Sequence, residues 1–220
     1  MGTRYAVPVS TESSHKTAPS ADPREEEILR AAFAVFTEKG FHGATMLDVA
    51  TRARASKATL YGRFAGKAAL FGALVAWGTR QGTEALDAIV DDTRLDPLTA
   101  LDRFAARLLG LMLQPEKLAL QRIAIAEGGR LPAVGRLYSQ ATRAHGAGLG
   151  RRIARRLVDA GVIRIDDAEA FGHSFIGLLQ GELVIRALLG EIDPPDQEAI
   201  ERHAAQAMAL LVRAYAPSRP

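Results

Sequence analysis

Cysteine is absent from the 220 residues, which excludes a disulfide framework, a thiol nucleophile and any cysteine-ligated metal. No apolar run reaches the roughly 18–20 residues that a membrane-spanning helix needs. The most apolar stretch, Phe175 to Gly190, is broken by Gln180, Glu182 and Arg186. The N-terminus lacks the basic-then-apolar order of a secretory signal, so a cytoplasmic protein without membrane association is expected. Neither an HExxH nor a Gly-x-Ser-x-Gly word occurs, and the five histidines lie far apart in sequence; both facts weaken an enzyme reading. Gly146-Ala147-Gly148-Leu149-Gly150 is glycine-rich enough for a dinucleotide loop, yet no strand precedes it and no βαβ unit surrounds it. Glycines that let helices approach or bend fit that segment better. No metal or cofactor is called for.

What the chain does contain is helix chemistry. Apolar residues make up 48% of it, ample for a core, while a net charge of +3 says little until the charges are placed. Residues 1–22 are polar, rich in Ser and Thr and free of helical periodicity. They are expected to form a disordered tail, with a groove-reaching arm using Arg4 and Lys16 as the alternative. Asp22-Pro23-Arg24-Glu25 then supplies an N-cap acid, a first-turn proline and a glutamate three residues on, the pattern of a capping box. Ile28, Ala31, Ala32, Val35 and Phe36 form one stripe, and Gly40 supplies a left-handed stop. Asp96-Pro97, Pro115, Pro132, the box Asp166 to Glu169, and Asp193-Pro194-Pro195 open later helices. With no alternating strand pattern, the fold class is all-α, with about nine helices.

Charge is distributed unevenly. From Val49 to Thr83 there is no acidic residue, while Arg52, Arg54, Lys57, Arg63, Lys67 and Arg80 all fall there. Charge alone favours a solvated helix face. Spacing adds that Thr45 caps a short helix from Met46 to about Ala53, and that Ser56, after a tight connection, caps a second one ending near Phe64. Val49, Ala50, Ala53, Leu60 and Phe64 face inward, leaving Lys57, Ala58, Thr59, Tyr61, Gly62 and Arg63 largely outward. This is the pattern of a helix-turn-helix reader of double-stranded DNA. Ala58 and Gly62 permit close approach to base edges, and Lys57 and Arg63 reach guanine or phosphate.

The stretch from Ile28 to Val75 resembles the DNA-binding domain of TetR/AcrR-family transcriptional regulators. The resemblance rests on Ala31-Ala32 and Phe36-Thr37-Glu38-Lys39-Gly40-Phe41, on Thr45 with Asp48-Val49-Ala50, and on Ser56 to Tyr61 with Phe64, Lys67 and Leu70. It implies that Thr45, Ser56, Tyr61 and Lys67 contact the DNA backbone while Lys57, Ala58, Thr59 and Arg63 face the groove. The chain departs from the usual Ala-Gly-Val-Ser turn with Ala53-Arg54-Ala55-Ser56. Arg54 must tolerate a conformation that glycine adopts cheaply, or the turn differs; it is also a candidate phosphate contact. Arg63 stands where His or Tyr is frequent.

The resemblance further implies domains at residues 23–70 (reader) and 71–216 (a bundle that dimerises and holds a small, mainly apolar effector). Leu118 to Gln140 resembles the AefR-type C-terminal domain of the same family. A fourth helix is expected from Leu70 to about Asp91. The last two helices, Asp167 to Leu189 and Pro195 to Tyr215, are expected at a homodimer interface, since two heads related by symmetry read a palindrome. Trp77, Phe104, Leu108, Met112, Ile123, Phe171, Phe175 and Leu178 are candidate pocket linings, with Glu127, His145, His173 and Gln180 as orienting groups. Each is more often plain core than a ligand contact. The function implied is an effector-released repressor. Alternatives of the same fold are an activator or a ligand-independent regulator, and of another class a helical-bundle enzyme.

Overall fold

A computed structural model describes residues 22–217. The tail expected before Asp22 lies outside these residues. The described residues fold into ten α-helices and no strand. They are α1 (Pro23–Gly43), α2 (Met46–Arg52), α3 (Lys57–Arg63), α4 (Lys67–Arg80), α5 (Glu84–Asp91), α6 (Pro97–Met112), α7 (Pro115–Gly128), α8 (Pro132–Asp159), α9 (Ala168–Leu189) and α10 (Gln197–Ala214).

The tenth helix arises because the expected run from Leu70 to Asp91 is broken. Gly82 sits at φ 80°, and a Cβ there would lie 2.8 Å from Leu111 Cδ2. Only glycine meets both demands without strain, so the chain turns between α4 and α5. Three helix starts also differ from expectation. Asp22 caps α1 through the Arg24 N–H, but Glu25 faces Arg63 at 3.6 Å instead of closing a box. Asp167, not Asp166, caps α9, while Asp166 pairs with Arg164 at 2.9 Å. α10 is capped by Asp196, which accepts from the Ala199 N–H, rather than opening at Pro194 or Pro195. The residue preceding a proline is driven out of helical geometry, so two successive prolines delay the start.

Two apolar clusters hold the chain together. The first joins α1 to α4 with Leu120, Ala124 and Val134 of α7 and α8. At its centre Phe36, Phe41 and Phe71 meet with ring centroids 5.5–5.8 Å apart, each pair adding about 0.5–1.5 kcal/mol beyond area burial. The second fills the space among α5, α6, α8, α9 and α10. α4 lies along α8, where Leu137 comes within 3.1 Å of a Cβ built on Gly72. α9 bends at Gly181, and His203 Nε2 of α10 lies 2.9 Å from the carbonyl oxygen of Leu179 beside the bend.

Candidate nucleic-acid interface

The reader is built from local capping and one buried anchor. Thr45 Oγ1 accepts from the Asp48 N–H while the Asp48 carboxylate accepts from the Thr45 N–H, a complete capping box that fixes the start of α2. Lys39 Nζ of α1 donates to Asp48 at 2.5 Å. That bond first, and those from Thr45 second, hold the Asp48 carboxyl down at a pKa of about 2. Ser56 caps α3 by accepting from the Thr59 N–H at 2.9 Å, and the two hydroxyls lie 2.8 Å apart. Leu60 is wholly buried under α3, with Phe64, Val49 and Ala50 around it. A seven-residue helix is far too short to persist alone in water, so this burial is what maintains it.

With Leu60 turned inward, Lys57, Ala58, Tyr61 and Gly62 lie exposed on α3 and Thr59 is half-buried. Lys57 Nζ stands 5.7 Å from the Tyr61 ring centroid. Neither that ammonium nor the Tyr61 hydroxyl forms a hydrogen bond or ion pair within the described residues. Arg63, Arg52 and Lys67 are engaged. Arg63 reaches back to Asp22 at 2.5 Å and Glu25 at 3.6 Å. The Asp22 carboxyl is held below its ordinary pKa, first by the Arg24 N–H and then by Arg63. Arg52 makes a two-pronged pair with Glu38, one prong at 2.8 Å. Lys67 donates to the carbonyls of His42 and Ala44, at 3.1 and 2.8 Å, and stands over the Phe41 ring. Solvent screens such exposed pairs, so a phosphate competes for Arg63 at small cost.

The turn contains the one unusual backbone position. Arg54 has φ 47°, the sole non-glycine residue with positive φ among the described residues. Its carbonyl accepts from Arg24 Nη2 of α1 at 2.7 Å, and its side chain is exposed. Sequence reasoning missed this prop. It missed the Asp22 and Glu25 grip on Arg63 and the Glu38 pair as well. Nothing in a single sequence announces side chains 14 to 41 positions apart.

Among the described residues, the apolar pocket candidates divide between the two clusters. Phe104, Phe171 and Phe175 are buried in the C-terminal cluster, the Phe104 and Phe175 rings 6.0 Å apart, with Leu108 and Leu178 packed against them. Trp77 and Ile123 belong to the other cluster. Met112 and Glu127 are half-buried, Gln180 likewise, and His173 is exposed. The His145 side chain lies outside the described residues.

Against known proteins, the pattern of the tetR family of bacterial regulatory proteins matches residues 28–74. That of the AefR-like transcriptional repressor C-terminal domain matches residues 99–217. An uncharacterised HTH-type transcriptional regulator of Mycobacterium tuberculosis is 31% identical over 186 residues, covering 84% of this chain and 86% of its own. A TetR-family transcriptional regulator from Mesorhizobium loti superposes with a TM-score of 0.75 at 26% identity, over 88% of this chain and 97% of that one. The flavonoid-responsive regulator FrrA gives 0.69 at 29% identity, over 89% and 98%.

Proposed function

Because this chain belongs to the TetR family of transcriptional regulators, we propose that it is a dimeric repressor that binds a palindromic operator and leaves it when a small, mainly apolar effector binds. The carrying observation is the outward side of α3. Lys57, Ala58, Tyr61 and Gly62 are exposed there while Leu60 and Phe64 pin the helix to the head. A short, firmly seated helix with small and cationic residues outward fits a major groove. Lys57, Ala58, Thr59, Gly62 and Arg63 read or approach base edges; Thr45, Arg54, Ser56, Tyr61 and Lys67 grip the backbone. For Arg63 this means leaving Asp22. Thr45 and Ser56 already cap helices, so they act together with the backbone N–H groups around them.

The reader spans 23–70 and the regulatory, dimerising body 71–216, and the head's apolar cluster reaches into that body through Phe71, Leu74, Val75, Leu120, Ala124 and Val134. Ile176, Ile185 and Leu189 of α9 and Leu210 of α10 are exposed although large and apolar. Apolar side chains left open on two neighbouring helices support a two-fold contact there. Effector release is supported by the relative FrrA, which is named for its response to flavonoids.

The test is selection from random duplex DNA on the purified full-length protein, followed by fluorescence anisotropy on the recovered site. A palindrome is expected, with log K falling by about 0.9 per log unit of salt for each phosphate neutralised. Recovery of no inverted repeat, or binding indifferent to salt, overturns the proposal.

A further inference from the structure

Between the head and the body, α1, α4 and the start of α7 enclose a pocket of about 280 Å³. Phe33, Leu74, Trp77 and Leu120 give it apolar walls, and Arg30 and Lys117 add two cations against one lining carboxylate, Glu116. Of the residues that sequence reasoning proposed for a cavity, only Trp77 lies here. Lys117 is half-buried, and its Nζ donates to the Gly78 carbonyl. No carboxylate lies within ion-pair distance of it among the described residues. An ammonium has three donors, so two remain for a ligand. Burial lowers the Lys117 pKa, and the neighbouring Glu116 opposes that. α7 begins at Pro115 with no side-chain cap, so its positive end adds to the same field. Arg30 is held at 2.6 Å by Glu26, its guanidinium 5.7 Å from the Trp77 ring centroid.

We infer that this junction pocket binds a small arylalkyl carboxylate. The ring lies among Phe33, Leu74, Trp77 and Leu120, and the carboxylate rests on Lys117. The volume lies just under the usual range of ligand sites, matching one ring on a short chain. A partly desolvated ammonium gains most from an ionised acceptor, which selects the acid over a neutral isostere. The ligand touches α1 of the head and α7 of the body at once. It therefore favours whichever head–body angle fits it best, by its difference in affinity for the two arrangements. This regulatory half rests on the repressor reading above.

Trp77 is the sole tryptophan of the chain, so its fluorescence reports the pocket directly. The full-length protein is titrated with phenylacetate, phenylpropionate and phenylbutyrate, and with their amides. At least one acid is expected to give a saturable change, with its amide about tenfold weaker or more. Lys117→Met is expected to abolish that preference and Lys117→Arg to retain it. The wild-type comparison of acid with amide stands even if Lys117→Met fails to fold. Operator affinity, measured alongside, is expected to fall about fivefold or more at saturation. No saturable response to any of the three acids, or equal affinity for acid and amide, overturns the binding site. Binding without any change in operator affinity overturns its regulatory role. Failure of the unliganded protein to bind any operator sinks the repressor reading instead and leaves the fluorescence result standing.

Discussion

Arg54 gives the sharpest test of how the turn between α2 and α3 is made. Its φ of 47° places it where an L residue crowds its own carbonyl, at about 1–2 kcal/mol. Glycine would remove that crowding but would lose about 0.4–1 kcal/mol through the greater freedom of the unfolded chain. The Arg54 side chain contributes no internal bond to offset either effect; only its carbonyl is used, by Arg24. Arg54→Gly is therefore expected to be more stable than Arg54→Ala by about 0.5–1 kcal/mol. Urea titration of both variants reads this difference, and for a chain of this length it corresponds to about 1–4 °C in melting temperature. The two variants lack the same charge. Both are expected to lose the same phosphate contact in each of the two heads, lowering the slope of log K against log salt by about 1.8, about 0.9 per contact. A glycine variant no more stable than the alanine variant would refute the strained turn. A salt slope unchanged in both would refute the phosphate contact.

Further outcomes follow from the same geometry. Asp48 is held at a pKa of about 2 against an ordinary 3.8, so its bonds to Lys39 and Thr45 stabilise the fold fully above the higher value and lose that effect as pH falls through the lower. Asp48→Asn is expected to flatten stability between about pH 4 and pH 2 in acid titrations followed by circular dichroism; an unchanged acid limb contradicts it. Gly82→Ala meets both a positive φ and Leu111, and is expected to destabilise by about 1–3 kcal/mol in chemical denaturation; a neutral result would show that α4 and α5 join differently. Lys57→Ala is expected to reduce operator affinity and the salt slope while leaving the melting temperature within about 1 °C, since the exposed ammonium makes no internal hydrogen bond. An unaltered operator affinity would remove Lys57 from the interface.

How much of this was legible in sequence follows the range of each interaction. The Thr45–Asp48 box and the Ser56 cap connect residues three apart, so residue type and spacing suffice to place both short helices and the buried Leu60. Gly82 carries no such mark. Its left-handed turn is required by Leu111 on another helix, and periodicity simply ran through it. The grip on Arg63 fails the same way, because Asp22 lies 41 positions away. In the C-terminal half, periodicity identified Phe104, Phe171 and Phe175 as inward-facing. It does not say whether a buried face meets protein or ligand, and here the rings meet each other and neighbouring core. The junction pocket was hidden because it draws Phe33, Trp77 and Lys117 from three separate helices.

The most direct measurement of paired reading is operator affinity before and after insertion of about five base pairs between the two halves of the selected palindrome. Half a helical turn carries one half-site to the opposite face of the duplex. Two heads joined through one body are expected to lose affinity at least about tenfold, down to the level of an isolated half-site. Equal affinity for the original and the lengthened operator would mean that each chain binds alone, contradicting a symmetric repressor.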